Sequence, residues 1–447
     1  MASAFSTDPT RAVLLKFALR CPNGAPVTTP TRPETEVPRS HSHLTSCRIC
    51  AGQELPVILS LGETPLANSL LKAEQLDQPE PRYALELAMC PTCSLVQIKE
   101  TVAPELLFRN YLYFTSFSET MLRHAQELSR EVVTAKKLGA ESLVVEIASN
   151  DGYLLQYYKA LNVPVIGIEP AKNVAEVSVG KGIETITEFF NAELASSLVS
   201  AGKKADVIHA NNVLAHVADL HGVVSGISVL LKEDGVAIIE VPYLKDMIDG
   251  TEFDTIYHEH LCYYSLSSLA VLFRQHNLYV NDVKRIPLHG GSLQLFIGKN
   301  DNPSQSVKDL MASEIDWGMR ELNFYKDFAT QIETLKAKLT ELLDKLKTEG
   351  KSIAAYGASA KGSTLLNSFN IGKQYLDFIV DRSSAKQGYY SPGTHLPILS
   401  PEVLLERQPD YLLLLTWNFA DEIMQQQELY RSRGGKFIVP IPRLNVV

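Results

Sequence analysis

The chain has 447 residues, 45% of them hydrophobic and 21% charged, which is enough material for two or three domains with separate cores. Its formal net charge of −9 provides no field that would steer it onto nucleic acid or an anionic membrane. No apolar run reaches the roughly 18 residues that a bilayer span requires, so a soluble, cytoplasmic protein acting as a monomer is expected, with no nucleic-acid or membrane partner.

Residues 1–40 carry Pro22, Pro26, Pro30, Pro33 and Pro38 and the acids Asp8, Glu34 and Glu36, a composition that does not build a core. A disordered extension is expected there. Arg11, Lys16 and Arg20 among apolar residues give it a modest likeness to a transit peptide, but a plain tail is the simpler reading.

A small module is expected over 41–110. Six cysteines are too few for a disulfide scaffold, and four of them form the pairs Cys47-Arg48-Ile49-Cys50 and Cys90-Pro91-Thr92-Cys93, 39 residues apart. Each pair makes one metal-binding knuckle, and two knuckles supply the four thiolates of a closed tetrahedral zinc site. With sulfur at all four positions no ligand site is left open, so the zinc is expected to be structural and to take no part in chemistry. Thiolates that hold a metal also suit a reducing cytosol.

Over 111–300 the pattern becomes short apolar runs alternating with helical stretches: Leu143 to Val145, Val163 to Ile168, Ala205 to Ala210 and Val236 to Val241. That spacing predicts a doubly wound α/β domain with a parallel sheet. Over 301–447 a long amphipathic helix carries Phe328, Ile332, Leu335, Leu339, Leu342 and Leu346 on one face. Further runs at Ile353 to Tyr356, Leu376 to Val380, Tyr411 to Leu415 and Lys436 to Pro440 then predict a second, smaller α/β domain.

The first strand of the central domain hands over to a loop containing Glu146, Ala148, Ser149, Asn150, Asp151 and Gly152, and Glu169 follows Glu146 by 23 residues at the end of the next strand. An acid at that spacing accepts hydrogen bonds from ribose hydroxyls. The loop lacks the glycines a dinucleotide needs and adds an anion, Asp151, that repels phosphate. S-adenosylmethionine has no phosphate and carries a sulfonium and an ammonium, so it fits better. Asn211 and Asn212 follow a later strand and belong to the same rim, with His216 beyond them.

The run Thr255 to Tyr264 places His258, Glu259, His260 and three tyrosines together, more hydrogen-bonding and titratable capacity than a core segment satisfies cheaply. Acid/base chemistry is the favoured reading over a metal site. If the segment is extended, His258 and His260 share one face and Glu259 takes the other. His289, Gly290, Gly291 and Ser292 form a loop where backbone can approach a ligand, and Lys361 opens a helix in the last domain where it could hold a diphosphate.

At these residues the sequence resembles the S-adenosylmethionine-dependent sugar C-methyltransferases that act on nucleotide-linked 4-keto-deoxysugars. The likeness runs from Cys47 to the C-terminus through the two cysteine pairs, Gly62 to Asn68, Tyr111-Leu112-Tyr113, the Glu146 to Gly152 loop, Ala215-His216-Val217, Tyr257 to His260, His289 to Ser292, Gly388 to Gly393 and Leu415 to Asn418. The resemblance implies a zinc module, a class I Rossmann-like cofactor domain and a Rossmann-like C-terminal domain that helps hold the sugar nucleotide. It further implies that Tyr111, His216, Tyr257, Glu259 and His260 line the reaction centre. A carbon beside a ketone attacks a sulfonium methyl once a base has removed its proton, with His260 as the expected base, Glu259 assisting, and His216 and Tyr257 bonding the enolate. The rivals are an oxygen or nitrogen acceptor, an NAD-linked sugar oxidoreductase, and a zinc scaffold without enzymatic activity.

Overall fold

The computed structural model describes residues 41–108 and 114–447; the expected extension 1–40 and Tyr111 lie outside these. Among the described residues, no helix is long and apolar enough to cross a membrane.

The cysteine module is built on an antiparallel sheet of Val57–Thr64, Tyr83–Met89 and Val96–Ile98, joined at its far edge by the short strand Cys262–Tyr263. That last strand belongs in sequence to the central domain, and pairs Cys262 with Gln97 and Tyr263 with Val96. Leu87, Val96, Gln97, Ile98, Cys262 and Tyr263 are all buried, so the seam lies inside the molecule rather than on a rim. Buried Arg48 is matched by Gln97 Oε1 at 3.2 Å, the Ile98 carbonyl at 2.8 Å and the Thr101 hydroxyl at 2.6 Å, the pairing a buried guanidinium requires.

The central sheet has seven strands. Val144–Ile147 lies in the middle, with Val165–Ile168 and Glu184–Ile186 parallel to it on one side and Ala205–Asn211 and Leu231–Pro242 parallel on the other. Ser292–Gly298 and then Tyr279–Ile286 extend it antiparallel. The strand order reverses between Val144–Ile147 and Ala205–Asn211, and the crevice at the carboxyl ends of those two strands is where an open α/β sheet binds its ligand. This is the class I Rossmann-like fold expected from the alternation.

Helix Lys326–Thr348 leads to the second sheet and buries Phe328, Ile332, Leu335, Leu339, Leu343 and Leu346. Leu343 joins the core stripe, and Leu342 packs partly buried against the same core, because both lie within one helical turn of Leu339 and Leu346 on a broad apolar face. The second sheet sets Ile353–Tyr356 at its centre, with Ile379–Val380 and Ile398–Leu399 on one side and Tyr411–Leu414 and Lys436–Val439 on the other, all parallel. Its strand order repeats that of the central sheet. Phe253 stacks on Phe369 with ring centres 4.7 Å apart, and Trp417 Nε1 donates to buried Asp254 at 2.7 Å, so the two sheet domains meet beside the Thr255 to Tyr264 segment.

Glu314 holds the helix start that follows that segment. Its fully buried carboxylate accepts from the backbone of Leu266 (2.7 Å) and Ser267 (2.8 Å), from the Ser267 hydroxyl (2.6 Å) and from Tyr243 (3.0 Å). Replacing Glu314 with alanine orphans all four donors, and a loss of about 3 kcal/mol or more is expected in urea unfolding. A loss below about 1 kcal/mol would show that water or a neighbouring group replaces the carboxylate.

Candidate active site

The turn after Val144–Ile147 is made by three residues with positive φ at alternate positions, Ala148 (53°), Asn150 (50°) and Gly152 (76°). At Gly152 a side chain would also strike Ile183, within 2.5 Å, so this position requires glycine. Glu169 braces the turn: Asn150 N donates to one carboxylate oxygen at 2.9 Å and Ala171 N to the other at 2.8 Å. Burial pushes its carboxyl up and these two amide bonds oppose the shift. Each oxygen keeps a further lone pair, so Glu169 can still accept the two ribose hydroxyls expected of it. Asn150 Oδ1 in turn accepts from Thr115 N at 2.9 Å.

Glu146 is fully enclosed. Burial holds its carboxyl well above the usual range, against a hydrogen bond from Tyr153, whose hydroxyl oxygen accepts from Asn211 Nδ2 at 3.2 Å. Ser149 Oγ, Asp151 Oδ1, Asn211 Oδ1 and Asn212 Oδ1 are all buried in this crevice without a hydrogen-bond partner, although Lys181 reaches the other Asp151 oxygen at 3.4 Å. A set of orphaned oxygen acceptors is complementary to a cation and mismatched to a phosphate. The residues present thus fit S-adenosylmethionine.

The Tyr257 to His260 segment is a turn closed by His260 N on the Tyr257 carbonyl at 2.8 Å, and not an extended strand. The alternation expected for the two histidines is therefore overturned. His258 turns away and sits 3.1 Å from the Ala84 carbonyl in the cysteine module, edge-on to Tyr83. His260 faces the other way, with Nδ1 3.0 Å from the Thr255 carbonyl and Nε2 2.8 Å from the Tyr257 hydroxyl. A carbonyl only accepts, so Nδ1 carries the proton and Nε2 is the basic atom, receiving the Tyr257 hydroxyl.

His216 packs edge-on against His260 with ring centres 4.7 Å apart, and its ring bonds to the backbone of Glu259. Burial lowers its pKa to about 4, so it stays neutral at working pH. Glu259 is 3% exposed, and burial raises its carboxyl to about 7 against opposing effects of Asn68 and Lys386. Its Oε1 accepts from Asn68 Nδ2 at 2.7 Å, while Oε2 is buried and unpartnered. The structure thus gathers the rings of His216, Tyr257 and His260, with the Glu259 backbone against His216 and its carboxylate on Asn68.

A cleft of about 320 Å³ opens nearby, lined by Ser118, Met121, Leu288, Gly290, Trp417 and Asn418 among others. Gly290 and Gly291 have φ of 98° and 128°, and a side chain at either would strike the carboxylate of Glu252 or Asp246. The side chain of His289 lies outside the described residues. Ser292 Oγ is spent on the Leu288 carbonyl at 3.0 Å. Lys361 Nζ is buried 4.7 Å above the Trp417 ring, where its charge lowers the carboxyls of Glu252 and Asp254 against their burial. It belongs to an acidic joint between the sheet domains, with Glu252 and Asp254.

Nothing along the chain by itself assigns a role to Asn68, Lys386, Asp254 or Trp417. Asn68 and Trp417 stand in motifs that carry the family resemblance, and only the fold reveals what they touch.

In the cysteine module the sulfurs of Cys47, Cys50, Cys90 and Cys93 all lie within 4.8 Å of one another, with closest pairs at 3.4 Å. Tetrahedral zinc with bonds of about 2.3 Å spaces its sulfurs by roughly 3.8 Å, so the cluster fits that ion. Gly52 crosses above it, where a β-carbon would come to 3.4 Å from Cys50 Sγ.

Three family models match in succession: a zinc binding domain over residues 47–108, a methyltransferase domain over 121–283 and a C-methyltransferase C-terminal domain over 287–442. The C-methyltransferase NovU of Streptomyces niveus is 36% identical over 404 residues, spanning 90% of this chain and 96% of its own. The chain belongs to this C-methyltransferase family. Among solved structures, magnesium protoporphyrin IX methyltransferase from Synechocystis PCC 6803 with bound S-adenosylmethionine is 11% identical (40% of this chain, 79% of that one, TM-score 0.31). A methyltransferase from Clostridium acetobutylicum is 12% identical (41% and 92%, TM-score 0.32). The C-methyltransferase uses S-adenosylmethionine as methyl donor and carries a structural zinc, which the family assignment and the fit of both sites establish together.

For this C-methyltransferase, elemental analysis should find one zinc per chain, and serine at any of the four cysteines should release it and destabilise the module, because metal binding there is coupled to folding. Glu169→Ala should weaken S-adenosylmethionine binding by about tenfold or more in calorimetry, through the ribose contacts and the unbraced Asn150 turn. Unchanged affinity would leave Glu169 a structural brace alone.

Proposed function

We propose that this C-methyltransferase methylates the ring carbon beside the ketone of a nucleotide-linked 4-keto-deoxysugar, and that the turn Tyr257 to His260 generates the carbon nucleophile. The observation that carries this reading is the ordered pair Tyr257 and His260, a base whose tautomer is set by the Thr255 carbonyl. Methyl transfer to oxygen or nitrogen needs no such base beside a second, neutral acid; enolate formation needs both.

Bound S-adenosylmethionine supplies an electrophilic methyl group. The chain's residues do the rest. The substrate's C–H proton passes to the Tyr257 oxygen as the phenol proton passes to His260 Nε2, and the imidazolium so formed is stabilised by the Thr255 carbonyl. Glu259, neutral below about pH 7, donates from Oε2 to the developing enolate oxygen, as a carboxylic acid kept protonated by burial can do. Neutral His216 bonds the Glu259 backbone and holds the turn in shape. The oxygens of Ser149, Asp151, Asn211 and Asn212 receive the donor's positive groups, and the acceptor enters through the cleft beside Gly290 and Trp417. Four thiolates gathered to hold a metal suit a reducing compartment.

His260→Asn should bind both substrates yet lose methyl transfer by roughly a hundredfold or more, together with exchange of the substrate's acidic ring proton into deuterated water. A variant that methylates near the wild-type rate would place the base elsewhere.

Glu259 gives the pH dependence a definite sign. Its raised pKa makes the donating form abundant below about 7 and removes it as pH rises, so kcat should fall on the alkaline side. The groups that face it and set this limb are Asn68 and Lys386, with His216 on its backbone. Glu259→Gln, whose amide still donates, should keep more than about a tenth of the activity and lose the alkaline fall; inactivity of that variant would make the carboxylate itself the base.

A further inference from the structure

The long connection between strands Val57–Thr64 and Tyr83–Met89 leaves the zinc module and touches both other domains. Leu71 exchanges backbone hydrogen bonds with Tyr390 (2.9 and 2.8 Å), and Glu80 accepts the Gly393 amide on both carboxylate oxygens (3.0 and 2.9 Å) with His395 at 3.3 Å. Between its start and those anchors, Asn68 is fixed by a local turn in which its carbonyl accepts Leu70 N at 2.9 Å. From there its side chain reaches Glu259 Oε1 at 2.7 Å.

A carboxylic acid has one oxygen that donates and one that accepts, and in a symmetric pocket the two exchange freely. An amide N–H donating to Oε1 makes that oxygen the acceptor and leaves the proton to Oε2, the buried atom with no other partner. We infer that Asn68, carried by the zinc module, is a positioning residue that fixes which oxygen of Glu259 presents its proton to the enolate. The inference rests on the reading of Glu259 as an acid given above. It makes the zinc module a contributor to the reaction centre: the module's connection holds the amide in place while the metal holds the module.

The test is a set of variants of the full zinc-loaded enzyme: Glu259→Gln, Asn68→Asp, the two combined, and Asn68→Leu. Asn68→Asp keeps the shape and replaces the donor by an acceptor. That acceptor draws the Glu259 proton, or in the combined variant the amide introduced by Glu259→Gln, away from the substrate. Asn68→Leu keeps the approximate shape and removes the donor without adding charge, and serves where aspartate disturbs folding. Zinc content and melting temperature are measured alongside.

With both unchanged, kcat should drop at least about tenfold in Asn68→Asp while KM for both substrates stays within about twofold, and the same drop should recur in the Glu259→Gln background. Asn68→Leu should lose less than Asn68→Asp. Wild-type kcat in Asn68→Asp or Asn68→Leu, with Glu259→Gln active, would overturn the inference while sparing the role of Glu259. A loss confined to KM or to stability would overturn it too, since that is what a purely structural amide produces. Inactive Glu259→Gln would instead bring down the acid reading on which the inference stands.

Discussion

A carboxyl group taken out of water must either keep its proton or meet enough donors to replace its hydration. The reaction centre of this C-methyltransferase is organised by how each buried acid meets that demand. Glu169 and Glu314 meet it with backbone amides and hydroxyls, and each thereby holds a turn or a helix start in place. Glu146 has only Tyr153 to help, and burial holds its carboxyl well above the usual range. Glu240 accepts from Gln294 Nε2 and faces His124 Nε2, both at 2.7 Å, and the carboxylate's bond and charge hold that imidazole above the usual histidine range in spite of burial. Glu259 has one donor and one open oxygen, as Asp254 also has, and its place on the turn between Tyr257 and His260 makes it the candidate for chemistry rather than architecture.

The two sheet domains solve the same local problem in the same way. In the central domain an acid after the second strand receives the amide of the turn after the first, Asn150 on Glu169 at 2.9 Å. In the C-terminal domain Asp381 follows Ile379–Val380 and receives Ala358 N at 2.7 Å from the turn after Ile353–Tyr356, where Gly357 has φ 97°. Asp381 also accepts from Ser383 N at 2.8 Å, as Glu169 does from Ala171 N. A strand-turn-helix unit leaves amides uncovered at one fixed place, and an acid at the end of the neighbouring strand covers them. The difference lies in what remains. Around Glu169 unpaired oxygens of Ser149, Asp151, Asn211 and Asn212 await a ligand, whereas around Asp381 the turn is closed by Lys386 Nζ on the Ala358 carbonyl at 2.8 Å.

Much of this was legible in the sequence because it is written in short-range chemistry. Paired cysteines, apolar runs of strand length and an acid placed one βαβ unit after the first strand each have a local cause, and the four sulfurs, the strand order and Glu169 stand where that reasoning put them. What escaped was decided at long range. His258 and His260 parted because a tight turn, not a strand, occupies their segment, and the turn is imposed by contacts with Ala84 and Thr255. Leu343 joined a partly buried Leu342 in the core because the packed face of the helix is wider than a single line of residues. Asn68 is separated from Glu259 by nearly the entire central domain, and Lys361 lies near Glu252 and Asp254 of another domain; neither encounter has a signature along the chain.

The strand Cys262–Tyr263, laid against the zinc module's sheet directly after His260, also bears on how the enzyme comes off the ribosome. The module's cysteines emerge early and can take up zinc at once. Its outer edge, the Val96–Ile98 backbone, then has no partner until the central sheet through Pro242 has been synthesised and the following turn has formed. An open edge that persists while more than a third of the chain is synthesised invites pairing with a stranger. The nascent chain closes it with the very segment proposed to carry its acid/base residues, so on that reading maturation of the module and assembly of the reaction centre become a single event.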